Sequence, residues 1–222
     1  MDTYLLDWRV GANSSVQNVN FERRIVNNAK FGTTTLPVMN IPIIKITKDG
    51  GGRWYSMNHQ SAGTVSDPYR NILIEGSTGS AMPTLRFYMF NSEIDSQRIY
   101  NAEIRNRANL DIFGSKNEGK ASPFVHIQGG SDICWIGMSG NGYCDEFKDV
   151  NGVPTDLEEA VIEVDNCPSF VISSCSYHKI GTKNTDRFYR LKEIVGSTVA
   201  TELDATKGFV TYRRGTDIDD TN

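Results

Sequence analysis

Five charged or titratable side chains recur at matching positions of three short segments, where they could carry out acid–base chemistry. They are Glu103 and Arg105 in NAEIRN, His126 in FVHIQG, and Glu163 and Asp165 in VIEVDN. Glycoside hydrolysis requires two carboxylates about 5 to 9.5 Å apart, a separation that Glu163 and Asp165 could meet. Elimination on a uronic acid requires a base and a cation, for which His126 and Arg105 are candidates. The alternative is a solvated outer surface with ion pairs such as Glu103–Arg105.

A second group of candidate residues lies in GGGRWYSMNH, which spans residues 50–59. Its side chains Arg53, Trp54, Tyr55 and His59 would suit sugar stacking and carboxylate binding. The same residues could instead fix a long loop against the side of the fold. The glycine triplet is not a phosphate-binding loop, because no Lys-Ser or Lys-Thr follows it and no strand–helix context surrounds it.

The elements that would position these residues repeat along the chain. ANLDIFGSKNEG (108–119) matches SDICWIGMSGNG (131–142) in spacing and character, with the shared glycines 23 positions apart. The same pattern is read in RNILIEG (70–76) and PSFVISSCS (168–176), and a second short strand precedes each of the last three copies. Repeats of this length with parallel strands and polar turns are typical of a parallel β-helix. An antiparallel sandwich would not explain why the same strand pattern returns after the insertion between the last two copies.

Alternating apolar residues within each copy predict strands with one buried face. The predicted interior positions are Leu85, Phe87 and Met89, then Ala102 and Ile104, Leu110 and Ile112, Val125 and Ile127, Ile133 and Trp135, Ile162 and Val164, and Phe170 and Ile172. Asn106, Gly129 and Asn166 lie between the two strands of a copy. A tight corner there favours residues that tolerate left-handed backbone.

The repeats predict a single all-β domain over the whole chain. Residues 1–49 are expected to form irregular first turns of the β-helix. Residues 50–180 are expected to form its regular turns, with a loop insertion at 143–159, and residues 181–222 a C-terminal cap and tail. Within the cap, RFYRLKEIVGS (187–197) is expected to form a short helix or a covering strand. The N-terminal end has no evident cap, which predicts a homo-oligomer or further upstream turns.

Composition and charge exclude several classes of function. The 222-residue chain has a net charge of −4, which argues against a general nucleic-acid binder. No run of roughly 18 or more apolar residues occurs, so the sequence predicts no membrane span. The first residues, MDTYLLDWRV, lack the apolar core of a signal peptide, so the chain is either intracellular or without its leader.

The cysteines and acidic segments give little indication of a cofactor. Cys134, Cys144, Cys167 and Cys175 form no CxxC motif and no zinc-binding spacing. We expect free, partly buried thiols, with Cys167–Cys175 the nearest pair in sequence if a disulfide forms. DVNGVPTDLEE (149–159) is acidic enough to bind calcium, although its spacing differs from that of an EF-hand loop, and no other cofactor is expected.

Six segments carry a resemblance to a known superfamily. They are GGGRWY (50–55), NILIEGSTG (71–79), LRFYMFNSE (85–93), AEIRNRANLDIFGSKNEG (102–119), IGMSGNG (136–142) and YRRG (212–215). In them the chain resembles the right-handed parallel β-helix proteins of the pectate-lyase and polygalacturonase-like superfamily, in particular the C-terminal part of large secreted bacterial members. The resemblance implies a right-handed β-helix and a secreted or cell-surface location. Members include lyases, hydrolases, epimerases and phage tailspikes, so the fold does not determine the reaction.

Two classes of function follow. In the first, the protein is a polysaccharide lyase or glycoside hydrolase, or part of one, that acts on its polymer along the flank of the helix. The five residues of the first group would be catalytic, the second group would bind substrate, and the 143–159 insertion would border the groove. In the second, the protein is a non-catalytic module that binds glycans or assembles as a structural, tailspike-like component. The absence of clustered Asp-Asp or Lys-x-x-Arg signatures keeps the second class open.

Overall fold

The protein is built from β-strands. The computed structural model describes residues 6–23, 30–31, 34–35, 44–47, 50–61, 72–77, 81–98, 102–121, 125–143, 159–180, 188–204 and 211–215, and no helix occurs among them. In chain order the strands are β1 Leu6–Trp8, β2 Ser15–Arg23, β3 Lys30–Phe31, β4 Thr34–Thr35, β5 Ile44–Thr47, β6 Gly52–Ser61, β7 Ile72–Glu75, β8 Leu85–Arg98, β9 Ala102–Arg105, β10 Ala108–Ala121, β11 Val125–Gln128, β12 Ser131–Tyr143, β13 Glu159–Asp165, β14 Phe170–Ile180, β15 Phe188–Val195, β16 Thr198–Asp204 and β17 Tyr212–Arg214.

Most strands belong to two large, mainly parallel sheets, between which the chain alternates. Sheet A has the order β1-β5-β7-β9-β11-β13-β15-β16, and sheet B has the order β17-β14-β12-β10-β8-β6-β2. Each strand of sheet A from β5 to β13 is followed by a strand of sheet B, and we call such a pair of strands a rung. Successive rungs pair in parallel in both sheets, so the antiparallel sandwich is wrong.

The interior consists of ladders of apolar side chains that continue from rung to rung. In sheet A, Ile104 is paired with Ile127 and Ile127 with Val164. In sheet B, Leu110 is paired with Ile133 and Ile112 with Trp135, as the 23-residue period predicts. The predicted interior residues from Ala102 to Ile172 are all buried. Each large aliphatic side chain fully buried in this way contributes roughly 1.5–3 kcal/mol.

The corner between the two strands of a rung is formed by residues in left-handed backbone. Asn106, Gly129 and Asn166 have φ of 48°, 64° and 51°, which confirms the prediction from their residue types. Their backbone N–H groups donate to the carbonyls of Gln128, Asp165 and Ile194 at 2.7–2.9 Å. Hydrogen bonding between rungs therefore continues around the corner, and no backbone donor of these three residues is left unpaired there.

A second corner interrupts the strands of sheet B and reverses which side chains point inward. Its positions are Asn18, Ser56, Met89, Gly114, Gly137 and Ser174, all with φ between 52° and 78°. Phe87 and Phe90 are both buried, whereas Met89 between them is 56% exposed. The prediction that Met89 shares the buried parity of Phe87 is therefore wrong, because the left-handed residue shifts the alternation by one.

The segment RNILIEG also differs from its prediction. Residues of β7 pair with β9, so that Leu73 lies opposite Glu103. This segment is therefore the first strand of its rung, equivalent to AEIR, and the second strand is β8, which pairs with β10. Its short apolar run fits either strand of a rung, and only the pairing distinguishes the two.

Antiparallel strands close the C-terminal end of both sheets. β16 pairs antiparallel with β15, and β17 pairs antiparallel with β14, so residues 188–197 form strand and turn and the helical alternative is wrong for them. The interior ladder of sheet A ends in Glu193, which lies opposite Val164 and is 1% exposed. Arg214 and the hydroxyl of Tyr212 donate hydrogen bonds to its carboxylate. A paired charge thus terminates the apolar core.

The N-terminal strands continue the same two sheets. β1 pairs in parallel with β5, and β2 pairs in parallel with β6. Leu6, Trp8, Val16 and Phe21 are only partly buried, and they pack against the core of the following rungs. Among the described residues no helix is long and apolar enough to cross a membrane.

Candidate functional site

Sheet A brings the five residues of the first group onto its outer face. β9, β11 and β13 are neighbouring strands, and their register places Glu103 opposite His126 and His126 opposite Glu163. The next outward position is shared by Arg105, Gln128 and Asp165. Neighbouring strands lie about 4.8 Å apart, so the predicted residues form one contiguous patch. We call these six residues the sheet A patch.

The centre of the sheet A patch is nearly closed to solvent. Glu103 is only 2% exposed and His126 only 7%, so the expectation of a solvated outer face is wrong for these two residues. Glu103 accepts a hydrogen bond from Arg105 Nε, which forms the ion pair that the sequence indicated. This pairing neutralises a carboxylate that would otherwise be unfavourable to bury.

His126 and Glu163 form the closest acid–base pair of the patch. Their Nε2 and Oε1 atoms are 3.6 Å apart, slightly longer than a direct hydrogen bond. Burial lowers the pKa of His126, an effect that Asp165 opposes and Arg105 reinforces. Burial raises the pKa of Glu163, an effect that Lys192 opposes and Asp165 reinforces. The two pKa values therefore move toward each other, which eases proton transfer between the groups.

The second predicted group lies on a different sheet. Arg53 and Tyr55 point outward from β6 in sheet B, whereas Trp54 between them is fully buried and packs against Phe87 and Trp8. The prediction that Trp54 binds substrate is therefore wrong, since its indole is part of the core. The side chain of His59 lies outside the described residues. The two predicted groups thus do not form one site.

Register reveals neighbours of Tyr55 that the sequence analysis missed. Tyr55 lies opposite Tyr88, Tyr88 opposite Phe113, and Phe113 opposite Ile136. The ring centroids of Tyr55 and Tyr88 are 5.1 Å apart with planes at 7°, and those of Tyr88 and Phe113 are 5.6 Å apart at 22°. Together with Met89 at the adjoining corner, these four residues form what we call the aromatic strip. No sequence period marks the strip, because the first two rungs differ in length.

Neither a metal site nor a disulfide is formed among the described residues. No three His, Cys, Asp or Glu side chains there are grouped so that they could hold a metal ion. Cys134 and Cys167 are free thiols, and burial raises the pKa of Cys167 to about 11. Residues 144–158 lie outside the described residues, and they include Cys144 and most of the candidate calcium-binding segment. The side chain of Cys175 also lies outside them.

Comparison of the chain with models of protein families, with curated proteins and with solved structures gives no match. The function must therefore be argued from the side chains themselves.

Proposed function

We propose that the protein is a right-handed parallel β-helix whose sheet A patch cleaves a polysaccharide. Support for the architecture comes from the alternation of the chain between two parallel sheets and from the left-handed corners at matching positions of successive rungs. Right-handedness follows the rule that crossover connections between parallel strands of one sheet are nearly always right-handed. In such a fold the outer face of sheet A is one continuous flank along which a polymer can lie.

The pair His126–Glu163 carries the proposal for the reaction. The two groups are 3.6 Å apart on one face of sheet A. Elimination from a uronic acid requires a base and an acid, and this close pair supplies both on the same side of the sugar. We therefore favour a lyase over a hydrolase.

In this reaction His126 removes the proton next to the sugar carboxylate. Its imidazole is uncharged at neutral pH because its pKa is lowered. The electrons form a carbon–carbon double bond as the bond to the glycosidic oxygen breaks. Glu163, whose raised pKa favours its protonated form, donates its proton to the leaving oxygen. The proton held by His126 then returns to Glu163, so no water is consumed. Arg105 would stabilise the developing charge with the N–H groups that do not bind Glu103.

The test is an absorbance assay for unsaturated products on a panel of uronic acid polymers. His126→Asn and Glu163→Gln should each lower kcat by about 100-fold or more, the usual contribution of a general acid or base. Arg213→Gln, at an exposed position of β17 in sheet B and outside the patch, is the control and should keep full activity. A parallel assay for new reducing ends without unsaturation would identify a hydrolase. Turnover that survives His126→Asn would exclude the proposed mechanism.

The near-closure of the patch supports a second candidate function. Glu103 and His126 are almost inaccessible, and Arg105 is engaged by Glu103. Such an arrangement also suits a non-catalytic module in which these charges only stabilise the flank of the solenoid. Polysaccharide binding by the wild-type chain without any turnover would favour this candidate.

A further inference from the structure

The aromatic strip contains an exposed apolar side chain in left-handed backbone, Met89, whose sulfur accepts a hydrogen bond from Ser56 Oγ at 3.8 Å. Met89 is 56% exposed and has φ of 63°, a left-handed conformation that is unfavourable for L residues other than Gly, Asn and Asp. The equivalent corner positions of other rungs are glycine, serine or asparagine. A strained and exposed apolar residue is an observation from which a binding role can be inferred.

Met89 adjoins a regular ladder of side chains that also remain partly open. Tyr55 is 37% exposed and Ile136 is 38% exposed, while Tyr88 and Phe113 are half-buried between them. The rings of Tyr55, Tyr88 and Phe113 stack in sequence at centroid distances of 5.1 Å and 5.6 Å, so Tyr88 lies between two rings and the stack forms a continuous apolar row. The ladder thus repeats an apolar, partly hydroxylated surface at the spacing of the strands.

The size of the aromatic strip distinguishes between possible ligands. Two outward side chains on one strand are about 7 Å apart, and four strands extend over roughly 15 Å. A stable protein interface needs about 800 Å² on each partner, several times the area of this strip. A single extended polymer chain with flat apolar faces fits such a narrow surface far better.

The charges beside the strip favour a sugar polymer over a nucleic acid. Arg86 is held by Asp111 at 2.7 Å and contacts Tyr88, whereas Arg53 is exposed and has no carboxylate partner among the described residues. One available arginine beside tyrosine rings can bind sugar hydroxyl or acidic groups. Nucleic acids would need several such cations, and the chain as a whole has a net charge of −4.

We propose that the aromatic strip is a second polysaccharide-binding site, separate from the sheet A patch. A single extended chain lies along the stack of rungs, with its sugar rings against the exposed side chains of Tyr55, Ile136 and Met89 and against the accessible edge of the ring stack. Arg53 donates hydrogen bonds to the same chain. The choice of a polysaccharide as the ligand rests on the proposed function, but the site itself does not require catalysis.

The experiment measures binding of the full chain to a printed panel of plant, algal and bacterial polysaccharides and to oligo(dT). For each polymer bound, Tyr55→Ala and Met89→Asn should weaken affinity by roughly fivefold or more, and Arg53→Gln by about tenfold. Asparagine tolerates the left-handed corner, so Met89→Asn should bind less while its thermal stability is unchanged or higher. Val199→Asn and Arg213→Gln, at exposed positions outside the strip, are matched controls and should bind normally.

Several results would overturn the inference. The inference fails if the chain binds no polysaccharide, if the Tyr55, Met89 and Arg53 variants bind as tightly as the wild type, or if the chain binds oligo(dT) in preference. It also fails if the wild-type chain is a dimer that Met89→Asn converts to a monomer. The proposed function fails independently, through absence of turnover or insensitivity to His126→Asn. Turnover that depends on His126 but not on Tyr55 or Met89, with binding also unaffected, would leave the lyase standing without the second site. Binding that depends on the strip, without turnover, would support the second site and exclude the lyase.

Discussion

The outer faces of sheets A and B contrast in both composition and exposure. Sheet A presents carboxylates, a histidine and an arginine, yet Glu103 and His126 are almost inaccessible to solvent. Sheet B presents two tyrosines, a phenylalanine, an isoleucine and a methionine, and three of these remain more than a third exposed. Each face therefore reverses the usual relation between polarity and exposure.

This contrast shows where to look for function on a repetitive scaffold. The interior ladders of both sheets are mostly apolar and buried, and they account for the stability of the rungs. Buried charges and exposed aromatic side chains add little to such a core, so they are the informative exceptions. On sheet A the exception is the basis of the proposed acid–base chemistry, and on sheet B it is the basis of the proposed polysaccharide binding.

The largest expected effect compares the interior ladder of sheet A with the outer face of sheet B. Ile127 is completely buried, so Ile127→Asp should lower the free energy of unfolding by on the order of 4 kcal/mol, through loss of packing and burial of a carboxyl group. Ile136→Asp places the same side chain on the aromatic strip and should cost less than about 1 kcal/mol. Urea unfolding of both variants provides the measurement. Similar losses would mean that the outer face of sheet B is covered in solution.

An intermediate effect compares the ion pairs of the two faces. Glu103–Arg105 on sheet A has an almost fully buried carboxylate, whereas Arg86–Asp111 on sheet B is partly exposed at both ends. Double-mutant cycles with alanine should give a coupling energy of roughly 2 kcal/mol for the first pair and below about 1 kcal/mol for the second. Raising the salt concentration should weaken the second coupling more. Equal coupling energies would remove the distinction between a closed and an open face.

Much of the fold could be predicted from sequence because its determinants are local. The equivalence of Gly114 and Gly137 follows from a period of constant length, and the corners at Asn106 and Asn166 follow from residues that tolerate left-handed backbone. Met89 escaped prediction because nothing in its residue type marks a corner. The segment beginning at Ile72 was assigned to the wrong strand because a short apolar run fits either position of a rung.

The candidate sites were predicted less completely, since exposure depends on contacts distant in sequence. The register of β9, β11 and β13 brought Glu103, His126 and Glu163 together as expected, but alternation could not show that the outer side of sheet A is closed. The aromatic strip was missed because Tyr55, Tyr88 and Phe113 are unequally spaced in sequence and become equivalent only through strand pairing.

The smallest expected effect is on the pH dependence of stability, and it tests whether the pair on sheet A is as desolvated as its burial indicates. Burial lowers the pKa of His126 below 6.5, so the unfolded chain takes up a proton before the native imidazole does. The stability associated with His126 is therefore present above pH 6.5 and is lost as the pH falls through that value. Glu163 has the opposite sign, because its pKa is raised above 4.5. Its contribution is present at low pH and is lost as the pH rises from 4.5 toward the native pKa.

Urea unfolding at a series of pH values separates the two groups. His126→Asn should flatten the increase in stability on raising the pH through 6.5, and Glu163→Gln should remove the decrease that begins above pH 4.5. Tyr88→Phe on the aromatic strip is the control, since it changes no group that titrates in this range and should leave both slopes intact. Unchanged slopes in the His126 and Glu163 variants would show that water reaches the pair freely. The outer face of sheet A would then be as open as that of sheet B, and proton exchange between the two groups would lose its physical basis.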